Sequence, residues 1–350
     1  MVDYTKQRKK EYRQDPGAAK GEKGVSYMKI GILGTGHITD VVTPTLKKLE
    51  EIECYAVASR TIEKAEAFCE RYGFQKAYGS YEQLLQDPEV ELVYVALPHS
   101  HHHAYTMQSL SHGKAVISEK AFTVNAQQAR EIKEYAAARK LFVAEAIWTR
   151  YMPSRQIIQD VLDSGAIGEV RALTANLFYN IGHRERLRDP KLAGGALLDV
   201  GIYGINFALM HFGCEIERIE SSVQMTDTGV DGLETINLFF RDGRAAVISA
   251  GIFAHSDRQG IFYGSKGFAV VENINNPQSV SVFDAEERLI EKIPVPEQIS
   301  GYEYEFQECV RAIQAGRLES WSMPMSETVR VMERMDDIRR QWGLVYPQER

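Results

Sequence analysis

Cysteine is scarce in this chain: Cys54, Cys69, Cys214 and Cys309 are scattered over 350 residues with no C-x-x-C spacing. That pattern excludes a disulfide-stapled secreted fold and a zinc site built on thiolates. It leaves the four as small hydrophobes in a reducing, cytoplasmic setting. Long apolar runs are lacking as well. Stretches such as 92–98 have the length of a strand, well short of the roughly 20 residues that cross a bilayer, and no apolar segment follows the basic start. Neither a membrane partner nor a secretory signal is expected. Basic residues are outnumbered, 41 Lys and Arg against 48 Asp and Glu, for a net charge of −7. A sequence-wide attraction to nucleic acid is therefore not expected either. No internal repeat or low-complexity tract occurs.

What is present suits a globular chain of two domains. Hydrophobic residues make up 44% and charged residues 25%, enough apolar surface for a sizeable core at this length. Residues 1–27 are set apart by a basic, almost apolar-free composition with a glycine-rich end, which cannot bury enough surface to order itself. They read as a solvated extension, or as an over-long start with Met28 the true first residue, rather than as a basic arm.

From Met28 the pattern alternates. Strand-like runs at 29–33, 53–58, 92–96, 115–118 and 141–145 are separated by helical stretches such as 62–72 and 126–139. Short apolar strands alternating with helices call for a doubly wound parallel sheet, an α/β Rossmann domain over 28–148. After a helix at 154–164 the signal turns β-rich, at 170–179, 217–225, 234–240, 245–251, 260–264, 269–272 and 279–284. A helix at 196–211 interrupts it, and two helices at 303–315 and 326–342 close the chain. This predicts an α+β domain over 149–350 with a large, mostly antiparallel open sheet.

The first strand runs into Gly31-Ile-Leu-Gly34-Thr-Gly36-His37-Ile38-Thr39 and a helix. In that context Gly34 permits a tight turn, and Gly36 lets the backbone approach a pyrophosphate at the helix start beside His37 and Ile38. Thr39 stands at the third glycine of the fingerprint, which loosens helix–strand packing and leaves the cradle intact. The second strand ends in Ala58-Ser59-Arg60-Thr61. A hydroxyl and a guanidinium, with Lys64 one turn on, stand where an NAD enzyme places an acid, so NADP is expected, with NAD the alternative. The run Pro98-His99-Ser100-His101-His102-His103 diverges in direction and lacks ligand partners, so no metal is expected. Leu97, Pro98 and His102 are instead assigned to a cofactor-lining loop.

Two further segments carry chemistry. Lys120, after Glu119, ends a buried strand at the crevice where substrate and nicotinamide meet; a solvated strand-end lysine is the alternative. Gly194-Gly195 leads into an apolar helix on which Asp199, Tyr203 and Asn206 share one face at i, i+4 and i+7. A polar stripe there needs partners or a function, and a buried structural network is the competing reading.

Together the Gly31–Gly36 turn, the Glu119-Lys120 strand end and the Gly-Gly…Asp199…Tyr203 helix resemble the glucose–fructose oxidoreductase / inositol dehydrogenase / MocA family. The resemblance runs from Met28 to the last helix. Glu145-Ala-Ile-Trp148-Thr-Arg150-Tyr-Met-Pro153, Gly195–Tyr203 and the closing Val345-Tyr-Pro-Gln-Glu349 are similar to its dimeric dihydrodiol dehydrogenase branch. The resemblance implies an NADP-dependent dehydrogenase of a sugar-like or cyclic diol substrate, working as a homodimer or higher homo-oligomer. It makes Tyr203 the proton donor and acceptor, supported by Lys120, and lets Asp199 orient Lys120 or the substrate hydroxyl. Trp148 borders the nicotinamide; Glu119 and Arg150 fall to the cofactor site, Asn206 and His183 to the substrate. A nearby cation is expected to draw the Tyr203 pKa down from about 10. Ala121 stands where the family has proline after Glu-Lys, leaving the bond there trans or strained. An NAD-dependent glycosidase-like reaction and a non-catalytic dinucleotide sensor are the alternatives; Ser59-Arg60 opposes the first, and retention of Lys120, Asp199 and Tyr203 the second.

Overall fold

A computed structural model describes residues 27–349, so the N-terminal extension, apart from Tyr27, lies outside the described residues. From Met28 the alternation forms β1 (Met28–Leu33), α1 (His37–Leu46), β2 (Ile52–Ala58), α2 (Ile62–Tyr72), β3 (Lys76–Tyr78), α3 (Tyr81–Gln86) and β4 (Leu92–Val95). It continues with α4 (His99–Ser111), β5 (Ala115–Glu119), α5 (Ala126–Arg139) and β6 (Val143–Ala146). All six strands run parallel in the order β3-β2-β1-β4-β5-β6. Helices cover both faces, which is why β4 and β6 are apolar or buried at every position. The order reverses between β1 and β4, and a crevice opens beyond their carboxyl ends. The histidine run is not a loop. Pro98 is extended and starts α4 at His99, because proline's fixed φ suits a helix start and its missing N–H costs nothing there.

The second sheet follows a single 3₁₀ turn (Trp148–Arg150) and α6 (Pro153–Asp163). Its strands are β7 (Val170–Phe178), β8 (Ile216–Met225), β9 (Asp231–Phe240), β10 (Ala245–Gly251), β11 (Gly260–Gly264), β12 (Gly267–Val271), β13 (Ser279–Asp284) and β14 (Leu289–Pro294). Their order is β14-β13-β12-β11-β7-β10-β9-β8, antiparallel except for the β7–β10 pair. Between β7 and β8 lie α7 (Glu185–Arg188), a π-helical turn (Leu197–Gly201) and α8 (Ile202–Phe212). Along β9 and β10 the residues alternate. Ile236, Leu238, Ala246 and Ile248 are buried beneath the α8 side, whereas Leu233 and Val247 face outward.

Residues 190–212 reach a mean hydropathy of 1.5, long and apolar enough to cross a membrane, contrary to the expectation that apolar runs are strand-length. Their most apolar window is 94% buried inside the protein, so this is the core helix. The closing helices, α9 (Glu303–Gln314) and α10 (Met325–Trp342), also depart from the expected division at 148. Phe306 of α9 meets Tyr94 of β4 edge-on at 5.2 Å, and its Cys309 joins the Rossmann core. Arg130 of α5 pairs with Glu333 of α10. The first domain is thus completed by the end of the chain.

Candidate active site

The crevice at the carboxyl end of β1 holds a cleft of ≈ 600 Å³ lined by Gly34, Gly36, Ser59, Arg60, Lys64, Leu97 and Pro98, among others. Gly34 adopts φ +108°, and a Cβ there would lie 2.5 Å from the Ala96 carbonyl oxygen, so only glycine makes this turn. Gly36 has open space where its Cβ would be, and no side chain caps α1. Free helix N–H groups and an unobstructed backbone form a cradle for a pyrophosphate. Ser59 is buried beside Thr35 (3.2 Å), while Arg60 and Lys64 are exposed and without a carboxylate partner among the described residues. This donor set fits a dinucleotide bearing a 2′-phosphate. His101, Tyr81 and Tyr105 complete the wall, with the tyrosine rings edge-on at 4.8 Å; the sequence reading missed all three, for which a shared helical pattern was the only available signal.

At the end of β5 the Lys120–Ala121 peptide is cis, which answers the question raised by Ala121. Lys120 Nζ donates to the Asp199 carbonyl at 2.6 Å, lies 3.6 Å from Asp199 Oδ1, and sits 4.9 Å from the centre of the Tyr203 ring. Asp199 also accepts from Arg186 Nη1 at 3.0 Å and has His99 Nε2 at 3.9 Å. Burial works to raise the Asp199 pKa, but the charges of Lys120 and Arg186 overcome it and hold the carboxyl well below its usual range. His99 is pushed down to about 3 by burial and is neutral at working pH. Neither Arg186 nor His99 was anticipated as a partner of Asp199.

Tyr203 is buried, and burial drives its phenol well above 10, reinforced by Tyr302, Glu119 and Asp199. This corrects the expectation of a lowered value: the Lys120 amine lies against the ring face and is bonded to Asp199. Trp148 stacks on Tyr302 at 4.1 Å and donates to Asn275 Oδ1 at 3.2 Å, and Asn275 in turn donates to the Tyr179 hydroxyl at 3.0 Å. These aromatic and amide groups face the same region, and Tyr179, Asn275 and Tyr302 carried no sequence signal.

The glycine turn before this helix has a specific cause. Gly195 adopts φ +118°, and a Cβ there would lie 2.1 Å from Asp231 Oδ1. Asp231 uses its other oxygen to accept from Leu197 N at 2.5 Å, capping the π turn that carries Asp199. The sequence pattern implied one uninterrupted helix from 196. The π turn widens that first segment instead, as such turns often do at functional sites.

The remaining expected residues are placed as follows. His37 and Ile38 open α1. His102 is fully buried, with its ring nitrogens 2.7 Å from the carbonyl oxygens of Ala121 and Leu97, so it ties the Lys120 loop to the cofactor crevice without lining the cleft. Glu119 is buried, accepting from the Tyr94 hydroxyl and from Lys120 N. His183 is exposed in the loop after β7. Arg150 Nε donates to Asn206 Oδ1 at 2.8 Å, and Asn206 Nδ2 donates to the Ile202 carbonyl, so both are engaged with each other in the core. Among the described residues no group of three or more potential ligands could hold a metal.

Residues 28–146 match a family model described as an oxidoreductase family with an NAD-binding Rossmann fold, and 156–270 match the GFO/IDH/MocA C-terminal domain. The chain is 32% identical to trans-1,2-dihydrobenzene-1,2-diol dehydrogenase of Mus musculus, over 92% of this chain and 99% of that one. It is 34% identical to D-xylose 1-dehydrogenase (NADP(+)) of Hypocrea jecorina, over 92% and 93%. A solved 3-ketoreductase from Actinomadura kijaniata, in complex with NADP and TDP-benzene, is similar at a TM-score of 0.84 and 25% identity, over 90% and 98%. With both of its domains matched, this chain belongs to the Gfo/Idh/MocA family of oxidoreductases, in the branch of the dihydrodiol dehydrogenases.

Proposed function

We propose that this enzyme is an NADP-dependent dehydrogenase that interconverts a hydroxyl and a carbonyl carbon of a sugar-like or cyclic diol substrate, with Tyr203 as the proton donor and acceptor. The observation that carries this reading is the Lys120–Asp199–Tyr203 cluster, whose Lys120–Ala121 strand end is tied through His102 to Leu97 in the wall of the dinucleotide cleft. Relatives named for a dihydrodiol, for xylose with NADP(+) and for a keto sugar support the substrate class. When bound, the cofactor would be held by the Gly34–Gly36 turn with Ser59, Arg60 and Lys64 at its 2′-phosphate, and would supply or accept the hydride.

The residues of the chain handle the proton. In carbonyl reduction the Tyr203 hydroxyl, kept protonated by burial, donates to the substrate oxygen as negative charge develops there. In alcohol oxidation the transfer runs in reverse: the oxygen must first have lost its own proton, and the phenolate then receives the hydroxyl proton and becomes the phenol again. Lys120 places a positive charge over the Tyr203 ring, and Asp199 fixes its position. The stacked rings of Trp148 and Tyr302 give this side of the site an apolar surface. The test is a screen of aldoses, inositols and dihydrodiols with NADP and NAD side by side. Turnover with a diol or sugar and a clear NADP preference is expected; no turnover with any CH–OH substrate would refute the reading.

The enzyme acts in the cytoplasm as a homodimer. All four cysteines are free thiols. The uncovered face of the second sheet presents Leu233, Val247 and Tyr263 across β9, β10 and β11, a surface suited to pairing with its own copy. Light scattering at micromolar concentration should give twice the chain mass, and a monomer would refute this part.

A further inference from the structure

We propose a second ligand site on the outer side of the catalytic helix, a pocket that takes a small oxyanion, phosphate or carboxylate, borne on a flat or apolar body. A cleft of ≈ 760 Å³ opens between the start of α6, the last turn of α8 and the loop that joins α9 to α10. Arg150 and Arg155 line it, with Gln156, Met210, Ser322 and Trp321. It shares no lining residue with the dinucleotide cleft.

The two guanidiniums are the reason to expect an anion. Neither forms an ion pair among the described residues, although each has carboxylates in its wider surroundings. Glu327, which acts on both, is engaged by Arg330 at 2.7 Å and by the Cys214 thiol. Arg150 is only 3% exposed, and its Nη2 is buried without any hydrogen-bond partner. Arg155 Nη1 donates to the carbonyls of Ser322 (2.8 Å) and Arg150 (3.4 Å), so it meets dipoles and no countercharge. Burial and the nearness of Arg155 together push Arg150 down to about 10, the mark of a cation held where cations are disfavoured. His211 of α8, also buried, is depressed to about 3 by the same burial and the same two arginines. A buried, unpaired donor beside a second cation is costly unless something answers it. An oxyanion supplies both the charge and the acceptor oxygens that guanidinium forks match.

Trp321 suggests the body of the ligand. It is 75% exposed, the most exposed large hydrophobic side chain among the described residues, and Arg317 packs on its ring at 3.9 Å from the centre. A flat indole at the mouth of a cationic pocket offers a stacking surface. The one carboxylate of the lining, Asp160, already accepts from Gln156 Nε2 at 2.8 Å. Because Arg150 also holds Asn206, one turn beyond Tyr203, the pocket backs directly onto the catalytic helix.

The test is calorimetric titration of the full chain with inorganic phosphate and with phenyl phosphate at constant ionic strength, with tryptophan fluorescence followed in parallel. Saturable binding of both is expected, tighter for phenyl phosphate. Arg155→Met should weaken both about tenfold or more, since a charge-assisted contact is lost. Trp321→Phe should abolish the fluorescence change and leave binding of inorganic phosphate in place. Arg60→Ala, in the dinucleotide cleft, should remove only whatever binding the 2′-phosphate cradle adds and leave the Arg155-dependent event in place. Absence of saturable binding, or binding that survives Arg155→Met and vanishes in Arg60→Ala, would overturn the proposal. Neither readout needs turnover, so the result stands apart from the dehydrogenase reading. Arg155 is only half-buried, so its variant decides the matter even if an Arg150 variant fails to fold.

Discussion

Replacing Asp199 with Asn removes one charge and keeps shape, and the geometry sets the size of the effect. Asp199 Oδ1 lies 3.6 Å from Lys120 Nζ, and the lysine side chain is 13% exposed. At an effective dielectric of about 20 that attraction is worth about 4–5 kcal/mol before desolvation is charged against it. Half-exposed Arg186 adds little, and the Lys120 bond to the Asp199 carbonyl survives in the variant. A net loss of about 2–3 kcal/mol is therefore expected, which for a domain of this size lowers Tm by about 5–10 °C. The carboxyl pKa is depressed in the folded chain. Its contribution is thus fully present above the unfolded value of about 3.9 and fades as pH falls below it. The Tm gap between wild type and D199N should be flat from pH 9 to about pH 5 and narrow in more acid solution. With Lys120 less firmly held, kcat should fall about 100-fold while the KM for NADP stays within a factor of two. Calorimetry across pH with steady-state kinetics measures all of this. A D199N enzyme with wild-type Tm and kcat would show that Asp199 neither stabilises nor positions Lys120.

Further outcomes follow from other parts of the molecule. Arg60→Ala should raise the KM for NADP by roughly 10- to 100-fold, the worth of a charged hydrogen bond, and leave the KM for NAD nearly unchanged; equal effects on both cofactors would remove Arg60 from the 2′-phosphate. Burial holds the Glu145 carboxyl up at about 7, so above that pH ionisation costs the folded chain about 3 kcal/mol relative to an ordinary glutamate. Glu145→Gln should therefore raise Tm at pH 8 more than at pH 5, and a pH-independent difference would contradict the assignment. Gly195→Ala should cost about 3 kcal/mol or more, through φ +118° and the clash with Asp231, read as a lower urea midpoint; a neutral substitution would mean the turn relaxes freely.

The parts legible in the sequence are those where one residue type answers a local backbone demand. Gly34 and Gly36 announce the phosphate cradle because a Cβ is barred from one and the ligand's approach needs the other. Ser59 and Arg60 are read from their place at the end of a strand. Lys120, Asp199 and Tyr203 were singled out separately, and the fold brings them together across 79 residues. What stayed hidden depends on contacts between distant segments. His99 reaches Asp199 only because α4 starts at Pro98, and Arg186 reaches it from a four-residue helix too short for a pattern. The resemblance puts Arg150 with the cofactor; the 3₁₀ turn that carries it and Trp148 points Arg150 into the core against Asn206, a contact no local pattern announces. The three-residue β3 and the five-residue π turn escaped because each is too short for its pattern to repeat recognisably.

The central claim is that Tyr203 moves the proton, and Tyr203→Phe tests it most directly. The substitution removes the phenol oxygen and keeps the ring against which Lys120 packs. Acid–base catalysis contributes about 10²- to 10⁴-fold, so kcat should drop by that much in both oxidation and reduction. Tm and the Kd for NADP should be nearly unchanged. A Tyr203→Phe enzyme that folds, binds NADP and retains most of its kcat would contradict the account.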